Sequence, residues 1–564
     1  MFDQTRNTLF TKKEKDVKDM NIFEKEIFKS SHETLSGNGS LKYSTTGNPF
    51  VDDFAALGTY KEPRSVQDVF ATMHVLWSID PIKTLRLSVY LRLITRNTKM
   101  FDGTKLEVQR GQGLKSEFFH RLLWLAVYQP DTFKKNLDIF VCAGSWDDLF
   151  ELMRIDLSYI HDGKPYKRAL DWDFLLKFIC AGLNDSNQAN LIKKYLPQIK
   201  SASHCTTLRS QQNNYIAKFI AERLFDADSK QQKYAAYRRL KSSGTAHEWQ
   251  KLISQQKYHE IDFSKVAGRA LSLLTNSKFL ANHGLEEKFA KFILSQETAK
   301  YTGYVYELFG KPLSKPYQKL LVDKQFMGLI ETAKQNMNRD SSFIVCIDTS
   351  GSMSSTAKGT NMSSYNVAKA MALYFSHLLT GKFANTFLEF NSEVKMHTWE
   401  GNTPTEQFFN FSSSYFGSTN FLGVAKLFAR LKSQGYAESD FPTGVLCISD
   451  GEFDSGYSFG SRSKQTVFEH FKTVLRSAGF SEEFVNNFKI VLWDIPNGYY
   501  GRSKPCFEGL ADAPNFFYMS GFDPAGIAFL TGKEVKDKPV VLPKNAEELF
   551  EEAMKQELLQ MLRI

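Results

Sequence analysis

The stretch SSFIVCIDTSGS, residues 341–352, decides how this chain is read. Phe343 to Ile347 form a continuous apolar run, the pattern of a strand buried on both faces. The run stops at Asp348-Thr-Ser350-Gly-Ser352. An aspartate and two serines at alternate positions can turn their oxygens toward one point just beyond the strand end. Hard oxygen donors of this kind suit Mg2+, which prefers octahedral geometry and keeps several waters.

Working outward, the same alternation continues to the C-terminus. A helical stretch (YNVAKAMALYFSHLLTG) precedes the strand-like NTFLEFN and EVKMHTW. A second helix (NFLGVAKLFARLKSQG) leads to the buried strand TGVLCISD, and a third (TVFEHFKTVLRSAGF) to FKIVLWDIP. A weaker strand, NFFYMSGF, and a terminal helix, AEELFEEAMKQELLQML, complete the series. Apolar strands alternating with helices predict a doubly wound, Rossmann-like α/β domain over residues 339–564, with a parallel sheet covered on both faces. In such sheets ligands lie outside the carboxyl ends of the central strands. Two further oxygens reach that end. Thr419 lies in the loop GSTNFLG, and Asp450 ends TGVLCISD and precedes Gly451.

Upstream the periodicity is helical. From Ser65 to Gln335 apolar residues recur at spacings of three and four, as in EFFHRLLWLAVYQ, DWDFLLKFICAGL and NYIAKFIAERLF, with breaks at AGSWDD, HDGKP and NHG. Many helices joined by short turns predict an all-helical, HEAT-like array over residues 51–338. The expected fold class is thus α plus α/β. Residues 1–50, rich in Ser, Gly, Asn and Thr, read as a polar arm, with a short helix from Asn21 to Lys29.

With 42% hydrophobic and 24% charged residues, neither half has the composition of a disordered chain. No apolar run approaches the about 20 residues that cross a bilayer. MFDQTRNTLFTKKEKDVKD lacks the apolar core of a secretory signal. A cytoplasmic place, or one inside a virion, is expected, with no membrane partner. Cys142, Cys180, Cys205, Cys346, Cys447 and Cys506 are far apart without CxxC spacing, so reduced thiols are expected. Charge is uneven: residues 193–340 carry 25 Lys+Arg against 13 Asp+Glu, a balance of +12 in a chain of net +9. That balance suits either a polyanion surface or the solvated faces of ordinary helices.

Asp348, Ser350, Ser352, Thr419 and Asp450 together resemble the metal-ion-dependent adhesion site of the von Willebrand factor A (vWA) family, and the likeness runs from about Ser341 to the C-terminus. It implies that Ser350, Ser352 and Thr419 reach a divalent cation directly, most readily Mg2+, with Mn2+ or Ca2+ as alternatives. Asp348 and Asp450 would act largely through bound waters, and the open sixth position would take an Asp or Glu from a protein partner. A vWA domain after a long helical region is similar to the Ro/TROVE class of RNA-binding proteins. More specifically, GSWDDLFEL (Gly144–Leu152), YRRL (Tyr237–Leu240) and HEIDFSKVAGRALSLL (His259–Leu274) resemble the DUF2828-type group found in plants, fungi, giant viruses and phages.

In Ro-like proteins a ring of helical repeats holds RNA. That resemblance makes Lys193, Lys194, Arg209, Lys218, Arg238, Arg239 and Lys241 candidate phosphate contacts, with Tyr234 and Tyr237 for base stacking. Trp124, Trp146 and Trp172 read as core. His204-Cys205 has no partner cluster for a metal, and Asp494 either lines the crevice or caps a turn. Gly498–Pro505 lacks the lysine of a phosphate loop. No catalytic constellation and no small-molecule substrate are expected. The expected function is a non-enzymatic RNA-binding scaffold with a metal-binding vWA domain. The alternative is a metal-dependent interaction or assembly component, such as a virion or cargo protein, that binds no RNA.

Overall fold

The computed structural model describes residues 22–36, 38–56, 64–158, 160–161, 164–165, 170–245, 248–335, 337, 342–357, 359–413, 417–454, 465–495, 507–531 and 542–564. Cys506 and the stretch 498–505 lie outside these. Three small antiparallel hairpins come first in the chain: β1 (Glu33–Leu35) with β2 (Leu41–Tyr43), β3 (Arg96–Lys99) with β4 (Lys105–Gln109), and β5 (Ile160–His161) with β6 (Lys164–Pro165). Six strands build the main sheet: β7 (Phe343–Asp348), β8 (Thr386–Phe390), β9 (Val394–Thr398), β10 (Gly444–Ser449), β11 (Lys489–Asp494) and β12 (Phe516–Ser520).

Their order is β12-β11-β10-β7-β8-β9, parallel throughout except for the antiparallel edge strand β9. The doubly wound expectation holds. Every residue of β7 and of β10 is buried, as strands covered on both faces require. The chain leaves β7 to one side for β8 and returns to its other side for β10, so the switch in strand order falls at β7. Ile347 is in register with Ile448, which sets Asp348 level with Ser449 at the ends of adjacent strands. The helix Ser364–Leu378 lies against β7 with Val367, Ala368, Met371, Leu373 and Phe375 fully buried.

The chain packs into two compact units that are not simple halves. One comprises Met1–Glu62, Tyr304–Gly310 and Asn336–Ala553; the other comprises Pro63–Gly303, Lys311–Gln335 and Met554–Ile564. Division by packing therefore differs from the linear division at 50 and 338. The arm is part of the sheet unit: the helix Ile22–Ser31 is followed by the β1/β2 hairpin, and Phe50 and Phe54 pack on Phe550. The expected single terminal helix is two, Ala546–Met554 and Glu557–Gln560. The second packs in the helical unit. There Gln556 exchanges hydrogen bonds with the Arg110 backbone, and the Asn136 side chain does so with the Arg563 backbone. Leu558 N donates to Gln109 Oε1 and Met554 O accepts from Gln560 Nε2, two peptide groups that a continuous helix would have paired with each other.

The helical unit is an array of packed helices, as its periodicity predicts. Helices start at polar caps: Ser65 accepts from Asp68 N, Asp80 from Lys83 N, and Thr207 and Ser229 form capping boxes. Leu208–Leu224 pairs with Lys230–Ser242, and Trp172–Asn184 with Ala189–Tyr195. One core gathers Ile261, Phe263, Leu280, Leu285, Phe289 and Ile293. Trp124, Trp146 and Trp172 are buried. GSWDD has a packing reason: Asp148 bonds Arg92 Nε at 2.6 Å, and a Cβ on Gly144 would sit 1.9 Å from Asp148 Oδ2.

Candidate metal centre

The five oxygen-bearing residues converge where the sheet changes direction. Asp348 closes β7 and is fully buried, and Ser350, Ser352, Thr419 and Asp450 are nearly so. Local bonding sets each one. Asp348 Oδ1 accepts from Ser350 N at 2.8 Å, which turns the chain back over the strand end. Ser350 then caps the short 3-10 helix Gly351–Ser354. Gly351 N donates to Gly417 O at 3.0 Å, tying this turn to the loop that carries Thr419. Asp450 follows β10, and Gly451, at φ +71°, makes the turn after it in a conformation that favours glycine.

Ser350 Oγ and Ser352 Oγ are 3.1 Å apart. Adjacent ligands of an octahedral Mg2+ with bonds of about 2.1 Å are separated by about 3.0 Å, so the two hydroxyls fit one edge of such a shell. Asp348 Oδ2 accepts from Ser449 Oγ at 2.5 Å, so both carboxylate oxygens already have protein donors. An aspartate held that way suits a role through water. Burial, and next the Asp450 carboxylate, push Asp348 up to about 7. Two buried carboxylates close enough to repel each other make a place where a divalent cation relieves repulsion. The donor set therefore fits a hard divalent ion. Among the described residues no group of three or more His, Cys, Asp or Glu could hold a metal, so such an ion would depend on the hydroxyls.

Sequence reading missed three neighbours of this centre. Ser449 was hidden inside an apolar strand pattern. Glu389 on β8 accepts from Thr349 Oγ1 at 3.1 Å, is 2.8 Å from His397 Nε2, and also accepts from Ser413 Oγ. Asn38, in the hairpin turn of the arm, donates from Nδ2 to Thr419 Oγ1 at 3.4 Å. Asp494 is in register with Ser449 on one side and Ser520 on the other, one strand removed from β10. His204 bonds Ser201 and Ser203. The five described cysteines are free.

The residues considered for nucleic acid do not form one set. Tyr237 is fully buried and donates its hydroxyl to Pro197 O at 2.8 Å, so it offers no ring face to a base. Lys241 donates to Lys194 O at 3.2 Å and Leu196 O at 2.5 Å; it caps the end of Ala189–Tyr195 instead of meeting a phosphate. Arg209 pairs with Glu151. Tyr234 donates to Glu222 Oε1, and the Lys218 amine lies over its ring at 5.8 Å. Lys193 is half-buried, and the amine of Lys194, also half-buried, lies 4.9 Å over the Tyr195 ring. Arg238 and Arg239 are exposed, and neither has an ion-pair partner among the described residues.

Residues 36–267 match the family described as a domain of unknown function, DUF2828. The match covers the first part of the helical region. GSWDDLFEL and YRRL fall inside this DUF2828 match, which ends at residue 267, within HEIDFSKVAGRALSLL. Residues 341–562, which hold the whole six-stranded sheet and its centre, match a second domain of unknown function, DUF7788. Among solved structures the chain is similar to the RO (RSR) protein of Deinococcus radiodurans, at 12% identity over 85% of this chain and 98% of that one, with a TM-score of 0.34. It is also similar to an aerotolerance-related membrane protein from Bacteroides fragilis, crystallised with multiple mutations to serines. That match has 13% identity over 38% of this chain and 86% of that one, with a TM-score of 0.19. At such TM-scores neither likeness bears on function. No curated protein matches the chain. Among the described residues no helix is long and apolar enough to cross a membrane.

Proposed function

We propose that this protein is a non-enzymatic binding scaffold whose sheet unit docks an acidic group of a protein partner through a divalent cation. The observation that carries this reading is the convergence of Asp348, Ser350, Ser352, Thr419 and Asp450, from three separate segments, at the carboxyl end of the central strands. Ser350, Ser352 and Thr419 would hold Mg2+, or Mn2+ or Ca2+, and Asp348 and Asp450 would hold its waters. The ion would supply Lewis acidity toward an incoming Asp or Glu. A non-catalytic role is supported by the surrounding chemistry. In the Ser413, Glu389 and His397 group the serine hydroxyl donates to the carboxylate and the histidine bonds the other carboxylate oxygen, so the histidine is not placed as a base toward the serine.

Calorimetric titration of the full chain with Mn2+ and with Mg2+ tests the reading. Saturable uptake that disappears in Asp348→Ala is expected. Wild-type protein that takes up neither ion would sink it. Such a scaffold fits the cytoplasm or the interior of a virion.

A second reading, RNA held by the helical unit, is favoured by one observation. Arg238 and Arg239 stand exposed on Lys230–Ser242, without an ion-pair partner among the described residues, within the segment of +12 balance. Phosphate contacts of that kind make affinity fall with salt. Nucleic acid that co-purifies and is released by high salt is the expected result; clean protein with no salt-sensitive binding would end this reading.

A further inference from the structure

The polar segment that opens the chain does not lead away from the sheet unit. Its hairpin turn lies along the loop that follows Asp450 and holds four consecutive residues of it. The Lys42 amine donates to Gly451 O. Asn38 Nδ2 donates to Glu452 O at 2.5 Å, and Ser36 Oγ to Phe453 O at 3.0 Å. Gly39 forms an antiparallel bridge with Asp454. Asp454 N in turn donates to Thr419 O at 3.0 Å. The hairpin is itself braced, since Ser40 N and Ser40 Oγ both donate to Ser36 Oγ at 2.9 Å. Lys42 is fully buried, with its amine 5.6 Å over the Phe453 ring.

Asn38 connects this brace to a candidate ligand. One carboxamide nitrogen faces both the Glu452 carbonyl and Thr419 Oγ1, and an amide nitrogen carries two protons. A threonine hydroxyl has two lone pairs. An N–H directed at one of them leaves the other for a cation and restricts the rotation of the hydroxyl. The same side chain therefore aims Thr419 and sets its distance from the loop after Asp450.

We infer that Asn38 is a positioning residue of the metal centre, and that the centre is complete only with the N-terminal hairpin docked. The inference rests on the cation-binding reading above. It also assigns the segment 36–43 a task unrelated to the helical unit that follows it. Partners that bond to a metal ligand without touching the metal commonly control affinity by about 10- to 100-fold.

The test compares Mn2+ affinity by calorimetry on the full chain, with wild type, Asn38→Ala, Ser36→Ala and Asp348→Ala side by side and each melted in EDTA. Asn38→Ala is expected to lose about 10- to 100-fold in affinity, and Ser36→Ala, which loosens the brace and leaves the amide in place, a smaller factor. A merely structural role would lower the melting temperature in EDTA and leave the affinity of the folded protein unmoved. Ser36→Ala keeps the test open should Asn38→Ala fail to fold. Wild-type binding that is abolished in Asp348→Ala and unchanged in both hairpin variants would overturn this inference alone. Absence of binding by wild type would overturn the metal reading and this inference with it.

Discussion

The end of the sheet and the basic part of the helical unit treat polar side chains in opposite ways. At the sheet end Asp348, Ser350, Ser352, Thr419 and Asp450 are all buried, the two serine hydroxyls lie 3.1 Å apart, and the Asp450 carboxylate acts on Asp348. Burying two carboxylates side by side is costly in a low-dielectric interior, so the arrangement asks for a counter-charge. In the helical unit the cations are dispersed. Lys241 caps a helix, Arg209 pairs with Glu151, and Arg238 and Arg239 stand exposed without an ion-pair partner among the described residues. A buried, self-repelling cluster points to a ligand more strongly than a surplus of charge does, because helices use lysine and arginine for their own carbonyls and carboxylates.

The largest expected effect breaks the comparison at its sheet end. Asp348→Asn removes one of two facing carboxylates, so it should abolish any Mn2+-induced rise in melting temperature. It should also stabilise the protein in EDTA by about 1–3 kcal/mol, because burial and Asp450 disfavour the wild-type charge. Differential scanning calorimetry in both conditions reads the two effects. An undiminished Mn2+ response would count against the centre.

A second effect comes from Glu508, which is fully buried and accepts from Val467 N at 2.9 Å. Burial raises its carboxyl to about 7 from the ordinary 4.5, against the opposing pull of Lys42 and the backbone N–H groups of Phe468 and Val467. The folded state therefore keeps a proton that the unfolded state has released between these values. Stability contributed by this group is present below 4.5 and declines as pH rises toward 7. Relative to Glu508→Gln, wild type should lose roughly 1.4 kcal/mol per pH unit across that window. Urea denaturation of both proteins at several pH values checks the slope, and parallel curves would refute it.

Smaller effects sharpen the helical side. Arg238→Ala and Arg239→Ala should each lower the slope of log affinity for RNA against log salt by about 1 if they meet phosphates. Lys241→Met should leave that slope unchanged and cost about 1–2 kcal/mol through two lost carbonyl bonds. Filter binding over a salt series, with a thermal melt of each variant, separates the two classes. Tyr237→Phe, which removes a single buried hydroxyl bond, should cost about 1 kcal/mol without any change in RNA binding.

How far the chain could be read in advance depended on how local each signal was. Strand β7 and its DTSGS end were legible because apolar runs and alternate oxygens are written over a dozen consecutive residues. Thr419 and Asp450 were legible because each sits at a recognisable loop or strand end. Tyr237 was misplaced because a tyrosine on a polar helix looks the same in sequence whether its ring faces inward or outward, and only its burial and the hydroxyl bond to Pro197 O decide it. The break between Met554 and Glu557 was invisible because AEELFEEAMKQELLQML keeps a helical period throughout.

By itself, then, the sequence determined a helical region, a doubly wound sheet and five oxygens aimed at its carboxyl end. These follow from periodicity and from short motifs, which act over a few turns or one strand. Tertiary structure alone decided which distant segments meet. It brought Ser36, Asn38, Gly39 and Lys42 to the loop 451–454, and it carried the last eleven residues into the helical unit. The reason is physical: these contacts are single hydrogen bonds between residues hundreds of positions apart. Such bonds have no period and no spacing, and they exist only once the hydrophobic core has set the distances.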